Sequence, residues 1–203
     1  EVLGQCQQLS MVGFKANRIA HVSPKALPPL LRWLILTDNA LTHLPAEIGQ
    51  CTEMQKLMLA GNQLRSLPPE LAMCTRLELL RISANQLTEI PDWLLRMPRL
   101  TWLAFAGNPV TQALEAQALT NGPTSQIAWQ CLQVQKLLGE GASGLIHQAV
   151  LHTDEGEEAV ALKLFKGAVT SDGLPDSEMA ACLHASTHPH LVSAMARVGG
   201  HPE

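Results

Sequence analysis

Five asparagines recur at almost constant spacing along the first half of the chain. They are Asn17, Asn39, Asn62, Asn85 and Asn108, and only the first interval is one position shorter than the others. Around each asparagine the apolar residues keep the same offsets, and the stretch 31–41 shows the pattern as L-x-x-L-x-L-x-x-N-x-L. Five copies in register indicate a solenoid, in which each repeat buries its apolar face only against the next.

The pattern also predicts the local structure of each repeat. The L-x-L stretch alternates with period two, which is typical of a strand that sends its leucines inward. A buried asparagine amide needs hydrogen-bond partners, and the backbone of adjacent coils can supply them. We therefore predict that Asn39, Asn62 and Asn85 form a buried ladder. Leu-Pro or Ile-Pro follows three of the asparagines and predicts a tight return segment, irregular or 3₁₀.

This pattern resembles the leucine-rich repeat family, in its L-x-x-L-P-x-x-I subtype that is typical of intracellular members. The resemblance covers residues 1–119 and implies an α/β solenoid with one parallel strand per coil. Residues 1–6 align with residues 46–51 once Leu3 is matched to Ile48, so we expect the chain to begin inside a preceding coil. A short helix, residues 111–119, is predicted to cap the solenoid with Val110, Leu114 and Ala118 on one side.

The outward strand positions are informative because core packing does not dictate them. In the leucine-rich repeat family these positions line the concave face. An exposed apolar strip that contains Trp and Arg has the composition of a protein-binding site. We predict that a protein partner binds there. The alternatives are that the second part of the chain covers these residues, or that nothing does. The predicted partner-binding residues are Trp33, Ile35, Lys56, Met58, Leu79, Arg81 and Trp102.

Composition excludes several classes of protein. The net charge is −4 and charged residues make up 16% of the chain, which argues against a nucleic-acid binder that works by electrostatics. Apolar residues make up 46% of the chain, but the sequence contains no run of about 18 apolar residues, the length needed to span a membrane. Five scattered cysteines favour a reducing compartment, and we expect a cytoplasmic protein.

Three cysteines, Cys6, Cys51 and Cys74, share one place in the repeat and are expected to be small buried side chains. A second group, Cys182, His184, His188 and His190, is close in sequence. A helix end and a proline separate its members, so we predict no metal site there.

The second part of the chain differs from the first. Residues 1–119 carry ten basic and nine acidic residues, whereas residues 120–203 carry four and nine. Residues 120–128 are predicted to be a linker. Strand-like residues 131–138 lead to Gly139, Gly141 and Gly144, and strand-like residues resume at once. A dinucleotide-binding fold would begin a helix there, so the glycines are predicted to form the tip of a hairpin.

This order of features resembles the small lobe of protein kinases. The glycine hairpin is followed by Val160-Ala161-Leu162-Lys163 on a predicted strand, by Glu178 on a predicted helix (175–185), and by the His-Pro segment 188–192. The resemblance covers residues 129–203 and implies a partial kinase N-lobe, an α+β fold with an antiparallel sheet and one helix. A further strand is predicted at residues 193–198.

The resemblance also implies roles for individual residues, with ATP and Mg²⁺ as cofactors. Gly139, Gly141 and Gly144 match the loop over the phosphates, and Ile146 and Ala161 match the apolar cover of the adenine. The remaining two matches are the phosphate-binding Lys163 and its partner Glu178, the catalytic residues that the kinase resemblance assigns. Glu178 stands eleven residues before Pro189, where ten is more usual.

The kinase motifs His-Arg-Asp and Asp-Phe-Gly do not occur in this sequence. The implied function is that of a leucine-rich-repeat protein kinase that phosphorylates Ser, Thr or Tyr of proteins, of which residues 1–203 alone are expected to be inactive. The alternative is a binding scaffold that carries a pseudokinase.

Overall fold

The computed structural model of the protein describes residues 2–121, 126–141, 143–167, 173–184, 190 and 194–202. The chain divides into two compact units. The first comprises residues 1–113 and 171–174, and the second comprises residues 114–170 and 175–203.

The first unit contains a five-stranded parallel sheet with one strand from each repeat. The strands follow one another in sequence order: β1 (Met11–Gly13), β2 (Trp33–Ile35), β3 (Lys56–Met58), β4 (Leu79–Arg81) and β5 (Trp102–Ala104). Each strand pairs in parallel with the next at an offset of one repeat, as in the pairing of Leu34 with Leu57 and of Leu57 with Leu80. The prediction of one parallel strand per coil is confirmed.

The return segments are short 3₁₀ helices, as the sequence predicted, with one exception. They span Val2–Gln5, Pro24–Ala26, Ala46–Gln50 and Pro69–Met73, and the fourth repeat has instead a single α-helical turn, α1 (Asp92–Leu95). Successive turns stack closely, because a Cβ on Gly49 would lie 2.5 Å from the carbonyl oxygen of Glu70. A glycine is therefore needed where the third return segment meets the fourth.

The asparagine ladder is present. The Asn62 Oδ1 atom accepts a hydrogen bond from the backbone N–H of Leu41 at 3.0 Å, and its Nδ2 group donates to the carbonyl groups of Leu36 and Leu59, both at 2.9 Å. Asn85 makes the equivalent bonds one repeat later. Asn62 and Asn85 are buried and Asn39 is half-buried, so the prediction is confirmed for the inner coils.

Two of the three register-matched cysteines are buried as expected. The Sγ atoms of Cys51 and Cys74 approach the carbonyl oxygens of Pro28 and Ile48 in the preceding coil. Cys6 is exposed, and for that residue the prediction is wrong. In the described part of the chain no earlier coil packs against it.

The second unit contains an antiparallel three-stranded meander and two longer helices. Its elements are most of α2 (Gln112–Asn121), whose first two residues belong to the first unit, β6 (Gln126–Ala128), a 3₁₀ helix (Trp129–Cys131), β7 (Leu132–Glu140), β8 (Gly144–Thr153), β9 (Gly156–Phe165), α3 (Pro175–His184) and β10 (Arg197–Gly199). Strands β7, β8 and β9 form the meander, and β6 pairs in parallel with β10.

Three expectations are corrected by these elements. Residues 126–128, predicted to be linker, form β6, because they pair with residues far along the chain. The strand predicted at residues 193–198 is the shorter β10. Leu114, predicted to lie on the covered side of the capping helix, is 69% exposed. Among the described residues, none of the helices is both long and apolar enough to cross a membrane.

Candidate functional site

The outward residues of the parallel strands form two aligned columns on the repeat unit. Strand pairing places Trp33 beside Lys56, Lys56 beside Leu79, and Leu79 beside Trp102. The second column contains Ile35, Met58 and Arg81 in the same register. These seven residues are the predicted partner-binding set, and we call them the concave strip. Trp102 is 52% exposed, and the other six are half-buried.

Cationic side chains lie against the aromatic rings of the concave strip. The Nζ atom of Lys56 lies 4.0 Å from the centroid of the Trp33 ring. The Arg81 guanidinium carbon lies 5.4 Å from the centroid of Trp102. Two cation–π pairs therefore hold both indole rings, and each pair joins residues of neighbouring repeats.

The third outward column is not an open surface. It contains Thr37, Ala60 and Ser83, which follow the second column by two residues, and all three are buried. Their side chains are small and lie where the strand ends and the asparagine turn begins. An open depression lined by Ser10, Met11, Arg32 and Trp33 lies at the end of the strip formed by the first two repeats.

A second group of predicted residues meets in the meander unit. Lys163 on β9 forms an ion pair and hydrogen bond with Glu178 on α3, and both side chains are about two-thirds buried, at 33% and 31% exposure. The Lys163 Nζ atom also lies 4.8 Å from the centroid of Phe165. The one-residue departure from the usual spacing does not keep Lys163 and Glu178 apart.

Strand register places the other predicted residues on the same sheet face as Lys163. Ile146 on β8 pairs with Lys163, and Ala161 is two residues from Lys163 on β9. Because side chains alternate along a strand, Ile146, Ala161 and Lys163 project from one face. Ile146 is half-buried and Ala161 is exposed.

The three glycines of the hairpin have different surroundings. A Cβ on Gly144 would lie 2.4 Å from the carbonyl oxygen of Leu164, so packing against β9 requires a glycine there. A Cβ on Gly139 or Gly141 would meet no atom within 4 Å. The Gly141 N–H group donates to the carbonyl oxygen of Gly144 at 2.9 Å. The structure thus explains Gly144 by packing and leaves Gly139 and Gly141 free of any such requirement.

One contact at the hairpin was missed by sequence reasoning. Lys166, just after β9, forms an ion pair with Glu140 at the tip, and its backbone N–H donates to the carbonyl oxygen of Ser143. The hydrogen bond and charge of Lys166 lower the pKa of the Glu140 carboxyl group. Glu140 and Lys166 are far apart in the sequence, and no motif marks them as a pair.

The arrangement of donors fits an anionic group beside the hairpin. Lys163, held by Glu178, places its ammonium group on this face of the sheet, and the open backbone at Gly139 and Gly141 lets an oxygen anion approach closely. No group of three or more His, Cys, Asp or Glu residues in the described part of the chain could hold a metal ion. His188, the His184 side chain and most of the predicted His-Pro segment lie outside the described residues.

Comparisons with known proteins find similarity to leucine-rich repeats in part of the chain. Residues 52–110 match the leucine-rich repeat family. Among solved structures, the LRR protein of Leptospira interrogans is similar, with 29% sequence identity and a TM-score of 0.51 over 58% of this chain. The match covers 30% of that protein's own chain. No curated protein sequence matches the chain.

Proposed function

We propose that the first unit, in which residues 52–110 match the leucine-rich repeat family, binds a protein partner through the concave strip. The observation that carries this proposal is the pair of tryptophans, each with a cation against its ring, on aligned strands. Trp and Arg dominate the binding energy of many interfaces, and ordered side chains lose little entropy on binding.

The charge of the strip suggests the chemistry of the partner. Lys56 and Arg81 lie among apolar residues, and the strip itself contains no acidic residue. A partner segment with carboxylates beside apolar side chains would match both features, and its carboxylates would speed the encounter. We therefore propose an acidic, partly apolar protein segment as the ligand.

Capture from a cell lysate by the wild-type chain and by a Trp33→Ala, Trp102→Ala variant tests this proposal. Any protein bound through the strip should be depleted at least tenfold by the double substitution, which corresponds to about 1.4 kcal/mol. A Met73→Ala, Leu95→Ala variant is the matched control, since it removes two large apolar side chains that are 63% and 66% exposed on the return segments. Equal capture by all three proteins would refute the role of the strip.

For the second unit, we propose a different function, nucleotide binding as part of a protein kinase. The Lys163–Glu178 ion pair carries this proposal, together with a glycine hairpin whose first two glycines have no packing role. In kinases such a lysine binds the α- and β-phosphates and a helix glutamate orients it. We use parent protein for a longer protein that would contain residues 1–203. It would use ATP and Mg²⁺ to phosphorylate Ser, Thr or Tyr hydroxyls in the cytoplasm.

Within this proposal the residues have separate tasks. Lys163 would hold phosphate oxygens, and Glu178 would keep its ammonium group in place. Backbone groups of Gly139, Gly141 and Gly144 would border the phosphates, and Ile146 and Ala161 would cover the base. ATP would supply the transferred phosphoryl group.

Substitution of Lys163 in a longer parent protein that includes the catalytic-loop and Asp-Phe-Gly motifs tests the proposal. Lys163→Met should reduce phosphoryl transfer by at least a hundredfold, whereas Lys136→Met, which changes an exposed lysine on β7, should not. If the wild-type parent binds partners but transfers no phosphate, the alternative of a pseudokinase scaffold is correct.

A further inference from the structure

A short segment from late in the chain packs against the repeats. Gly173 and Leu174 belong to the first compact unit, although they come long after the last repeat in the sequence. Gly173 is buried, and a Cβ on it would lie 3.1 Å from the Cβ of Ser83 and 3.5 Å from the carbonyl oxygen of Ala106. The segment therefore lies against the third outward column, at the fourth and fifth repeats.

The contact depends on two glycines in uncommon backbone conformations. Gly173 has a φ of +141° and Gly107 has a φ of +72°. A Cβ on Gly107 would lie 3.1 Å from Cδ1 of Leu174. Gly173 thus has no side chain where it approaches Ser83, and Gly107 has none where it approaches Leu174.

The third outward column has small side chains at the repeats that Gly173 contacts. The third column changes from Lys15 and Thr37 to Ala60, Ser83 and Ala106, so its large side chains are absent where Gly173 lies. The Oγ atom of Ser83 is buried and has no hydrogen-bond partner among the described residues. This end of the face accepts a small residue followed by an aliphatic one.

We propose that Gly173 and Leu174 are an internal ligand of the repeats, which a partner segment must displace to occupy the fourth and fifth repeats. The proposal rests on the partner-binding function proposed above and specifies how that site is regulated. The competing partner segment is extended and carries a small residue followed by Leu or a similar aliphatic residue.

The strength of the internal contact can be bounded. A segment tethered by a short linker has an effective concentration of about 1 mM at its site. If it is docked most of the time, its intrinsic dissociation constant lies below about 1 mM, by the same arithmetic. A free peptide with the same sequence must then bind the vacated site when supplied at about 1 mM.

The test uses the whole chain and a labelled peptide of residues 169–178, whose sequence is VTSDGLPDSE. The Leu174→Asp substitution should remove the internal segment from the site. Because this competitor is lost, the variant should bind the peptide about tenfold more tightly than the wild-type chain does. Leu114→Asp is the matched control, since it changes a leucine that is 69% exposed on α2. A peptide with Asp in place of its leucine should bind none of the proteins.

Nuclear Overhauser contacts between the Leu174 methyl groups and the Gly107 Hα atoms check the docking directly. We expect these contacts in the wild-type chain and their loss when the peptide is added in excess. The absence of these contacts from the wild-type chain would overturn the proposal. So would equal binding of the peptide by all the proteins, or no binding by any of them. The Trp33→Ala, Trp102→Ala variant should keep the contacts, so failure of the concave strip to bind partners would not be confused with failure of the internal ligand.

Discussion

The Lys56 ammonium group lies 4.0 Å from the centroid of the Trp33 ring, although the two side chains come from different repeats. A cation–π contact at a partly exposed position contributes about 0.5–1 kcal/mol. A double-mutant cycle with Trp33→Ala and Lys56→Met should therefore give a coupling of that size in the free energy of unfolding. The Arg81 and Trp102 pair, at 5.4 Å, should give a smaller coupling, and a zero coupling for both pairs would show that the stacking contributes nothing.

The ladder predicts an unequal cost for two chemically identical substitutions. Asn62→Leu removes three hydrogen bonds from buried backbone groups and should lower the free energy of unfolding by about 1–3 kcal/mol. Asn17→Leu, at the same repeat position but exposed, should cost much less. Urea denaturation of both variants measures the difference, and superimposable curves would contradict the ladder.

The hairpin glycines should separate into a structural one and two that folding does not need. Gly144→Ala places a Cβ against the Leu164 carbonyl and should destabilise the meander by more than about 1 kcal/mol, as overpacking does. Gly139→Ala and Gly141→Ala should leave its melting temperature nearly unchanged. Thermal unfolding followed by circular dichroism compares the three, and a stable Gly144→Ala variant would contradict the close approach.

Buried thiols should make the repeats less stable in alkali. The ordinary pKa of a cysteine thiol is 9.0, and burial raises that of Cys51 to about 11. Burial, with a smaller contribution from the charge of Cys51, raises the pKa of Cys74 to about 12. Between pH 9 and 11 the unfolded thiols lose protons that the folded thiols keep, so stability falls as pH rises. Each thiol contributes a slope of at most about 1.4 kcal/mol per pH unit.

Urea midpoints measured from pH 7 to 10.5 test this dependence. A Cys51→Ala, Cys74→Ala variant should show a shallower decline above pH 9, and the chain has no tyrosine that would titrate in the same range. Parallel slopes for the two proteins would mean that the thiols are not the cause. In the native wild type at pH 8, Cys6 and Cys182 should react with a thiol reagent, and the two buried thiols should not.

The repeat fold was predictable because its signal is local and recurs. The positions of Leu57 and Leu80, and the strand pairing between them, follow from one motif written five times. Burial of Thr37 and Ser83 was not predictable in this way. It depends on what packs over the ends of the strands, such as Gly173 against Ser83, which the spacing of leucines does not report.

Pairings between distant segments were also missed. Strands β6 and β10 are each only three residues long and lie far apart in the sequence, so neither shows a period that marks it as a strand. The Lys166–Glu140 pair joins two solvent-facing charges of common type. By contrast, Lys163 and Glu178 were identified from their place in an ordered set of motifs, and the structure brings the two together.

Parallel strand pairing turns the number of repeats into a distance. Neighbouring strands lie about 4.8 Å apart, so the backbones that carry Trp33 on β2 and Trp102 on β5 are held about 14 Å apart. An extended segment advances about 3.3 Å per residue and would span that interval in about four residues. Inserting one repeat between the two tryptophans would lengthen the interval by about 4.8 Å, which is not a whole number of residues. Under the partner-binding role proposed above, the tryptophan spacing would select partners by the separation of their anchoring side chains as well as by their chemistry.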